Sequence, residues 1–381
     1  MYGSGVDDPK IDGDDPSKLK MAMTPQNFIS HGSLLAAEIN RNLKNQVYHA
    51  ANKSGLITIA RNRISGRGTI LMFHEIQDDP ASELMTGVST RFLDTMLTTL
   101  EQDGWEFLTM EEGIKRAADR DHAGKRFVIL TFDDGYRDNF RRALPILERH
   151  SAPFILFVPT GAVTRELYSW WLGLRRLLQN HDVIEIEPMG RRLHCSEPRS
   201  KVAALNAITH WVAGDYHRKA SLKPTLDRSG ISLMAVNEQY FLNEEELKII
   251  AKHPLATVGA HTVTHCALSI LDDTSAREEM SANRAYLQNL LQLPVLHFAY
   301  PYGDVAACGP REGMLAEKVG FSTAVTSRRG QLWPEHAHHV HALPRVAVKA
   351  GATVSPYAWM FDVWASHLRR TAKGIGPVVT W

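Results

Sequence analysis

The chain has 381 residues, of which 44% are hydrophobic and 22% are charged, an ordinary composition for a globular protein. Its formal net charge of +1 supplies no basic excess that would attract phosphates, which argues against a nucleic-acid partner. The cysteines are widely spaced and form no C-x-x-C pair, which argues against a disulfide framework and a cysteine-based zinc knuckle. They are Cys195, Cys266 and Cys308.

Residues 1–33 show no hydrophobic periodicity and predict a disordered tail or an added leader. They lack the basic-then-apolar pattern of a secretory signal, so we expect a cytoplasmic protein, or a periplasmic one if the native start has been replaced. Residues 34–66 predict a basic helical extension, which either packs on the main domain or makes a peripheral membrane contact. No apolar run reaches 18 residues, so we expect no transmembrane segment.

Residues 67–350 alternate between short apolar strands and helical segments, a pattern typical of a parallel α/β sheet or barrel. The predicted strands are 69–74, 105–108, 127–132, 153–158, 256–260, 295–300, 322–326 and 340–348. Residues 351–381 predict a C-terminal helical tail.

Residues 161–240 interrupt this alternation, and they are too many for a structureless loop inside a compact domain. We therefore predict a helical insertion here, and interpret it as a wall or lid facing the substrate because it directly follows a strand. Its adjacent Trp170 and Trp171 either stack on a sugar ring or pack the insertion onto the body of the protein.

The apolar run Phe127–Phe132 ends in two adjacent carboxylates, Asp133 and Asp134, followed by Gly135. Carboxylates at the C-terminal end of a buried strand lie where α/β folds place their chemistry. Repulsion between two negative charges this close raises the pKa of one of the two carboxyl groups unless a cation neutralises them. One interpretation is therefore a metal ion with one aspartate as ligand and the other as base. The alternative is a helix N-cap before the segment that begins near Arg137.

His261 and His265 follow the predicted strand 256–260. Because they are four residues apart, a helical turn would place both imidazoles on one face, which suits a single zinc-like ion. Solvent-facing or capping histidines are the alternative explanation. Two histidines and one carboxylate would leave an open coordination position, the arrangement of catalytic metal sites.

Three motifs in this order, TFDDG, HTVTH and FAYPYG, resemble the polysaccharide deacetylases, the NodB-homology domain of carbohydrate esterase family 4. The resemblance runs from about Ile70 to Val348 and includes L-M-F-H near the start and L-P-R near the end. It implies a distorted (β/α) barrel of about seven strands, here with a helical insertion and an N-terminal helical extension. It also implies metal-dependent hydrolysis of an N-acetyl group on a sugar, as in exopolysaccharide biosynthesis.

The resemblance implies a divalent metal, zinc in the first place and cobalt or nickel as alternatives, held by Asp134, His261 and His265. Asp133 would be the general base and His74, of L-M-F-H, the general acid. The alternative source of the acid is the later histidine cluster, made of His336, His338, His339 and His341. The backbone N–H of Tyr302 would hold the oxyanion. The residues expected to contact an N-acetylated glycan substrate are Pro301, Tyr302, Trp170 and Trp171.

One position departs from the family pattern. Where the common R-x-P-Y/W motif has an arginine that braces the catalytic aspartate, this chain has Ala299. Arg345, in L-P-R, is the candidate replacement, and a core or surface salt bridge without a catalytic role is the alternative.

Two other functions remain open at this point. One is an amidase that uses the same metal site on a non-sugar amide, cyclic amides included. The other is a catalytically silent glycan-binding protein. Retention of Asp133 argues against the second, because a binding module needs no base.

Overall fold

The computed structural model of the protein describes residues 66–78, 84, 87–119, 124–348 and 358–381. The predicted tail 1–33, and all but the last residue of the predicted extension 34–66, lie outside the described residues. The membrane contact predicted for that extension lies outside them too. In the described ranges, no helix is both long enough and apolar enough to cross a membrane.

The strands, in chain order, are β1 Gly68–Phe73, β2 Ile76–Gln77, β3 Val88–Ser89, β4 Glu106–Phe107, β5 Phe127–Phe132, β6 Phe154–Val158, β7 Val183–Ile186, β8 Arg191–His194, β9 Ala256–Ala260, β10 His297–Ala299, β11 Thr323–Arg329 and β12 Leu343–Ala347. The α-helices are α1 Thr90–Gln102, α2 Met110–Ala118, α3 Leu144–Arg149, α4 Thr160–Val163, α5 Trp170–Asn180, α6 Pro198–Ala213, α7 Lys223–Arg228, α8 Leu233–Tyr240, α9 Glu244–Ala251, α10 Asp273–Leu291, α11 Pro310–Val319 and α12 Ala358–Ala372.

Within the described ranges, seven parallel strands close into a barrel, because β1 pairs with both β12 and β5. The order around the ring is β1, β12, β11, β10, β9, β6 and β5. Strand β4 pairs only with the first two residues of β5 and lies outside the ring. The predicted fold class, a distorted (β/α) barrel of about seven strands, is confirmed.

The barrel interior is filled by apolar side chains, and β1 and β5 are buried along their whole length. Strands with the interior on one face and helices on the other are expected to be apolar throughout. The interior cluster includes Ile70, Ile129, Ile155, Phe157, Ala299, Val325 and Leu343. Because Phe73 pairs with Phe132 at the last residues of β1 and β5, the segments that follow these strands meet at one end of the barrel.

Between β6 and β9, residues 161–240 contain helices α5 to α8 together with the antiparallel hairpin of β7 and β8. We did not predict the hairpin, although exposed and buried side chains alternate along Val183–Ile186 with the period of a strand. Gly190, with a φ of 62°, supplies the left-handed residue that its turn requires. The insertion supplies most of a second hydrophobic cluster, around Leu174, Ile184 and Leu226, which also includes residues outside 161–240.

Candidate active site

The two aspartates follow directly on β5. The backbone N–H of Asp133 donates to the carbonyl of Phe73 at 3.0 Å, which extends the β1–β5 pairing by one residue. Asp134 and Gly135 then adopt left-handed φ values of 74° and 70°, so the chain turns sharply at the barrel end. Gly135 and Tyr136 separate the pair from the helical segment that begins at Arg137, so neither aspartate occupies its N-cap position. The two carboxyl groups are buried, with 3% and 4% of each residue exposed.

Arg345 forms a buried, two-pronged ion pair with Asp133. Its two terminal nitrogens each lie 2.7 Å from one oxygen of the carboxylate. Its Nε donates to the carbonyl of Thr326 at 2.9 Å, and Arg345 is 1% exposed. Burial by itself raises the pKa of Asp133, but the charge and hydrogen bonds of Arg345 outweigh it, and the pKa lies below its ordinary value. Asp133 is therefore ionised at neutral pH and held in one orientation by the residue that we considered as the replacement arginine.

The prediction that HTVTH forms a helical turn is wrong. The segment after β9 is a loop in which Thr262 and His265 have φ values of 63° and 51°. Two side chains of α10 hold this loop. The side-chain oxygen of Asn283 accepts a hydrogen bond from the backbone N–H of His261 at 2.7 Å. A carboxylate oxygen of Glu279 accepts hydrogen bonds from two consecutive backbone N–H groups of the loop at 2.9 Å each. Asn283 and Glu279, four residues apart on one helix face, were not singled out in the sequence.

The loop nevertheless brings both imidazoles to Asp134. Its Oδ1 lies 3.4 Å from Nε2 of His261 and 3.1 Å from Nε2 of His265. The candidate ligand atoms of the three residues all lie within 4.8 Å of one another. Nδ1 of His261 is 2.7 Å from the carbonyl oxygen of Ala299. Since a carbonyl can only accept, this Nδ1 carries the hydrogen, and the lone pair of Nε2 faces Asp134.

These donor atoms fit a divalent metal ion. Oδ1 of Asp134 is buried and has no hydrogen-bond partner, because its contacts with the two histidines lack hydrogen-bond geometry. Buried polar atoms without a partner are rare, and a cation held by two imidazole nitrogens and one carboxylate oxygen would satisfy this one. Burial raises the pKa of Asp134, but the neighbouring His265 and His261 outweigh it, so the pKa lies well below its ordinary value.

His74 lies at the same end of the barrel, directly after β1. It is half-buried, and its backbone carbonyl accepts a hydrogen bond from Nδ2 of Asn139 at 2.7 Å. The positive charge of His74, when present, lowers the pKa of both Asp133 and Asp134, which places its ring within electrostatic reach of the pair.

The residue after His74 takes part in a second buried ion pair that the sequence did not predict. Glu75 is fully buried. Its two carboxylate oxygens accept hydrogen bonds from the terminal nitrogens of Arg175, on α5, at 2.8 and 2.6 Å. One hundred residues separate the partners in the sequence, so no local pattern indicates the contact. It joins the insertion to the loop that carries His74.

The turn after β10 brings Tyr302 to the metal-ligand loop. Pro301 is buried, and its carbonyl accepts the N–H of Gly303 at 2.7 Å. The ring of Tyr302 lies 5.0 Å from that of His265 between centroids. In the described part of the chain, no protein atom accepts a hydrogen bond from the backbone N–H of Tyr302. This N–H is therefore available to a ligand, whereas Pro301 serves to form the turn.

The two tryptophans occupy different environments. Trp170 is 3% exposed and packs in the cluster of the insertion, so the packing alternative applies to it and direct stacking on a sugar does not. Trp171 is half-buried, and its ring lies 4.8 Å from that of His265. Its Nε1 donates to the hydroxyl of Tyr136 at 2.8 Å. Trp171 therefore lies beside the candidate metal ligands.

Two of the later histidines, His336 and His341, have their partners elsewhere in the protein. His341 contacts the carbonyl of Phe321, just before β11, through its Nε2 at 2.8 Å. His336 is fully buried and contacts the carbonyl of Val379 through its Nε2 at 3.0 Å. The His341 contact is at the end of the barrel where strands begin, opposite to Asp133. His74, by contrast, follows β1 at the end of the barrel that carries the aspartates.

Comparison with known proteins gives a consistent result. The polysaccharide deacetylase family model matches residues 120–194 and 203–309. YxkH of Bacillus subtilis (strain 168), whose own name as a polysaccharide deacetylase is provisional, is 20% identical over 288 residues, which cover 76% of this chain and 74% of YxkH. The poly-beta-1,6-N-acetyl-D-glucosamine N-deacetylase of Escherichia coli (strain K12) is 24% identical over 131 residues, 29% of this chain and 19% of that protein.

A solved structure shows the same fold. The Streptococcus pyogenes deacetylase PplD, in complex with acetate, superposes with a TM-score of 0.51 at 19% identity, over 77% of this chain and 96% of PplD. The family predicted from the three motifs is confirmed. The chain matches the polysaccharide deacetylase family, whose members are hydrolases that act on carbon–nitrogen bonds other than peptide bonds.

Proposed function

We propose that this protein is a metal-dependent N-deacetylase that hydrolyses the acetamide of N-acetylated sugars in a polysaccharide or glycan precursor and releases acetate. The observation that carries the proposal is the separation of two adjacent aspartates into different environments. Asp133 is paired with Arg345, and Asp134 faces two imidazole nitrogens. The partial match to a poly-beta-1,6-N-acetyl-D-glucosamine N-deacetylase supports an exopolysaccharide of N-acetylglucosamine as the substrate class.

Asp134, His261 and His265 would hold the divalent cation, with zinc as the first candidate. When bound there, such an ion supplies Lewis-acid polarisation of the acetamide carbonyl and lowers the pKa of water. This set of ligands leaves room for substrate, as catalytic sites require.

Asp133 accepts the proton of the attacking water. It can do so while paired with Arg345, because each carboxylate oxygen retains a second lone pair. The backbone N–H of Tyr302 donates to the negative charge that develops on the former carbonyl oxygen of the acetamide. His74 then donates a proton to the leaving sugar nitrogen, so that the carbon–nitrogen bond breaks and acetate and the free amine are released.

Acetate release tests this function directly. The protein, as isolated and after treatment with a chelator, is assayed on N-acetylglucosamine oligomers and on a panel of cyclic amides. We expect acetate from the oligomers, loss of release after chelation, and recovery on adding zinc, cobalt or nickel. Release that persists without metal would contradict metal dependence, and turnover of cyclic amides alone would indicate the amidase. Glycan binding without turnover would indicate the silent binding protein.

Replacing His74 with alanine is expected to lower kcat by about 10²–10⁴-fold, the usual contribution of a general acid. Metal content should be unchanged, because His74 is not among the three candidate ligands. Acetate release and metal content measured on the same preparation check this, with His341→Ala as the histidine control. Turnover preserved in His74→Ala would remove the acid role from this residue.

A further inference from the structure

Tyr302 holds a backbone conformation that its surroundings must maintain. Its φ of 62° lies in the left-handed region, which is strained for a residue with a side chain and persists only where neighbours enforce it. The proposed oxyanion donor is the N–H of this same residue. The groups that hold the turn therefore also determine where that N–H points.

The barrel supplies one half of the support. Ser327, on β11, donates through Oγ to the carbonyl of Tyr302 at 2.5 Å and through its N–H to the carbonyl of Gly303 at 2.9 Å. A Cβ at Gly303 would lie 2.5 Å from the nitrogen of Ser327, so the turn is pressed directly against β11. These contacts fix the carbonyl groups of the turn but leave the Tyr302 side chain unrestrained.

The insertion supplies the other half. Nε1 of Trp170 donates to the hydroxyl of Tyr302 at 3.0 Å. The ring of Tyr216 lies 4.4 Å from the Tyr302 ring between centroids, and its hydroxyl donates to Oδ2 of Asp304 at 2.8 Å. Trp170 and Tyr216 are 3% and 4% exposed and belong to the same hydrophobic cluster, so both are fixed by packing.

Helix α5 makes similar contacts with the other catalytic loops. Trp171, next to Trp170, lies against His265, and Arg175 pairs with Glu75 beside His74. One helix thus reaches the loops that follow β1, β9 and β10. A helix buried against three loops cannot move away without breaking these contacts, which argues against our interpretation of this part of the insertion as a lid.

We propose that Trp170 and Tyr216 are positioning residues, which act through the Tyr302 side chain to aim its backbone N–H at the developing oxyanion. This inference rests on the proposed deacetylation. The insertion would then contribute to the rate of the chemical step, where a displacement of about 1 Å can cost on the order of 10²-fold.

The test is a double-mutant cycle in the full-length protein, with acetate release from N-acetylglucosamine oligomers as the assay. We expect Trp170→Phe, which keeps an aromatic ring but removes the N–H donor, to lower kcat about tenfold with KM changed less than about twofold. In a Tyr302→Phe background the same change should have no further effect, because the acceptor hydroxyl is already gone. Tyr216→Leu should lower kcat as well, since the ring that packs against the Tyr302 ring is lost.

Trp211→Phe is the matched control, because Trp211 packs against the same cluster and makes none of these contacts. An equal loss of kcat in Trp211→Phe, or a loss in Trp170→Phe that is the same in both backgrounds, would overturn the proposal. So would an unchanged kcat in Trp170→Phe.

A readout independent of turnover separates this inference from the proposed function. Hydrogen exchange of the Gly303 and Ser327 amides should be faster in Trp170→Phe than in the wild type and unchanged in Trp211→Phe. Equal exchange in all three proteins would overturn the positioning role even if every enzyme were active. A wild type that releases no acetate, but shows the expected exchange pattern, would instead overturn the deacetylation.

Discussion

Asp133→Asn is expected to reduce kcat for acetate release by about 10²–10⁴-fold, the contribution of a positioned general base. Asparagine preserves the size of the side chain and one oxygen that can accept a hydrogen bond from Arg345. Its amide, however, cannot take a proton from water. The metal content should remain that of the wild type, because the three candidate ligands are untouched. Steady-state kinetics and metal analysis on the same preparation provide the measurement.

Asp134→Asn is the informative comparison, since it makes the same chemical change one residue further along the chain. It removes a charged ligand, so we expect both metal content and acetate release to fall. The opposite pattern, with metal lost from Asp133→Asn and retained in Asp134→Asn, would exchange the roles of the two residues. Equal effects of both changes on metal content would mean that the aspartates act together as ligands.

The position of the aspartates could be predicted from the sequence because a short local pattern determines it. A buried run of six residues, apolar except for Thr131, forms β5 with the predicted bounds, and the Asp-Asp-Gly turn then follows at the end of the strand. The glycine and the left-handed Asp134 allow the sharp turn that a buried strand needs there. The barrel class follows in the same way from the alternation of strands and helices.

The local geometry of HTVTH could not be predicted, because long-range contacts determine it. Spacing of four residues suggested a helical turn, but Asn283 and Glu279 of α10 capture the backbone N–H groups of this segment, which a helix would otherwise use. Two left-handed residues, Thr262 and His265, then bring the imidazoles together by a different route. The predicted pairing of the histidines was therefore right, although the reason given for it was wrong.

Tertiary contacts also decide the role of the tryptophans. The sequence left sugar stacking and packing as alternatives for both, since an amphipathic ring suits either. Trp170 is buried in the insertion, so its role is packing. Its Nε1–H donates a hydrogen bond to Tyr302, which lies in a different loop 132 residues further along the chain. Arg175 and Glu75 are a similar case, because a buried arginine on an insertion helix resembles a surface charge when only the sequence is considered.

Arg345→Met is expected to lower the free energy of unfolding by about 3–5 kcal/mol, because it leaves the carboxylate of Asp133 buried without a partner. The kcat should fall as well, since the base loses the contacts that orient it and keep it ionised. Thermal unfolding, with and without zinc, and acetate release give the two measurements. Arg345→Lys keeps the charge but not the two-pronged geometry, so it should recover much of the stability and little of kcat.

A second-site rescue separates the role of Arg345 from general damage to the core. Ala299 and Phe157 belong to the same hydrophobic cluster of the barrel interior, and the guanidinium of Arg345 lies over the Phe157 ring, 5.8 Å from its centroid. An arginine at 299, where the family resemblance places one, therefore enters the space that Arg345→Ala vacates. We expect the double variant Arg345→Ala, Ala299→Arg to be more stable and more active than Arg345→Ala alone. A double variant no better than the single one would show that the contacts of Arg345 with Thr326 and Thr131, which an arginine at 299 cannot reproduce, are what hold the base in place.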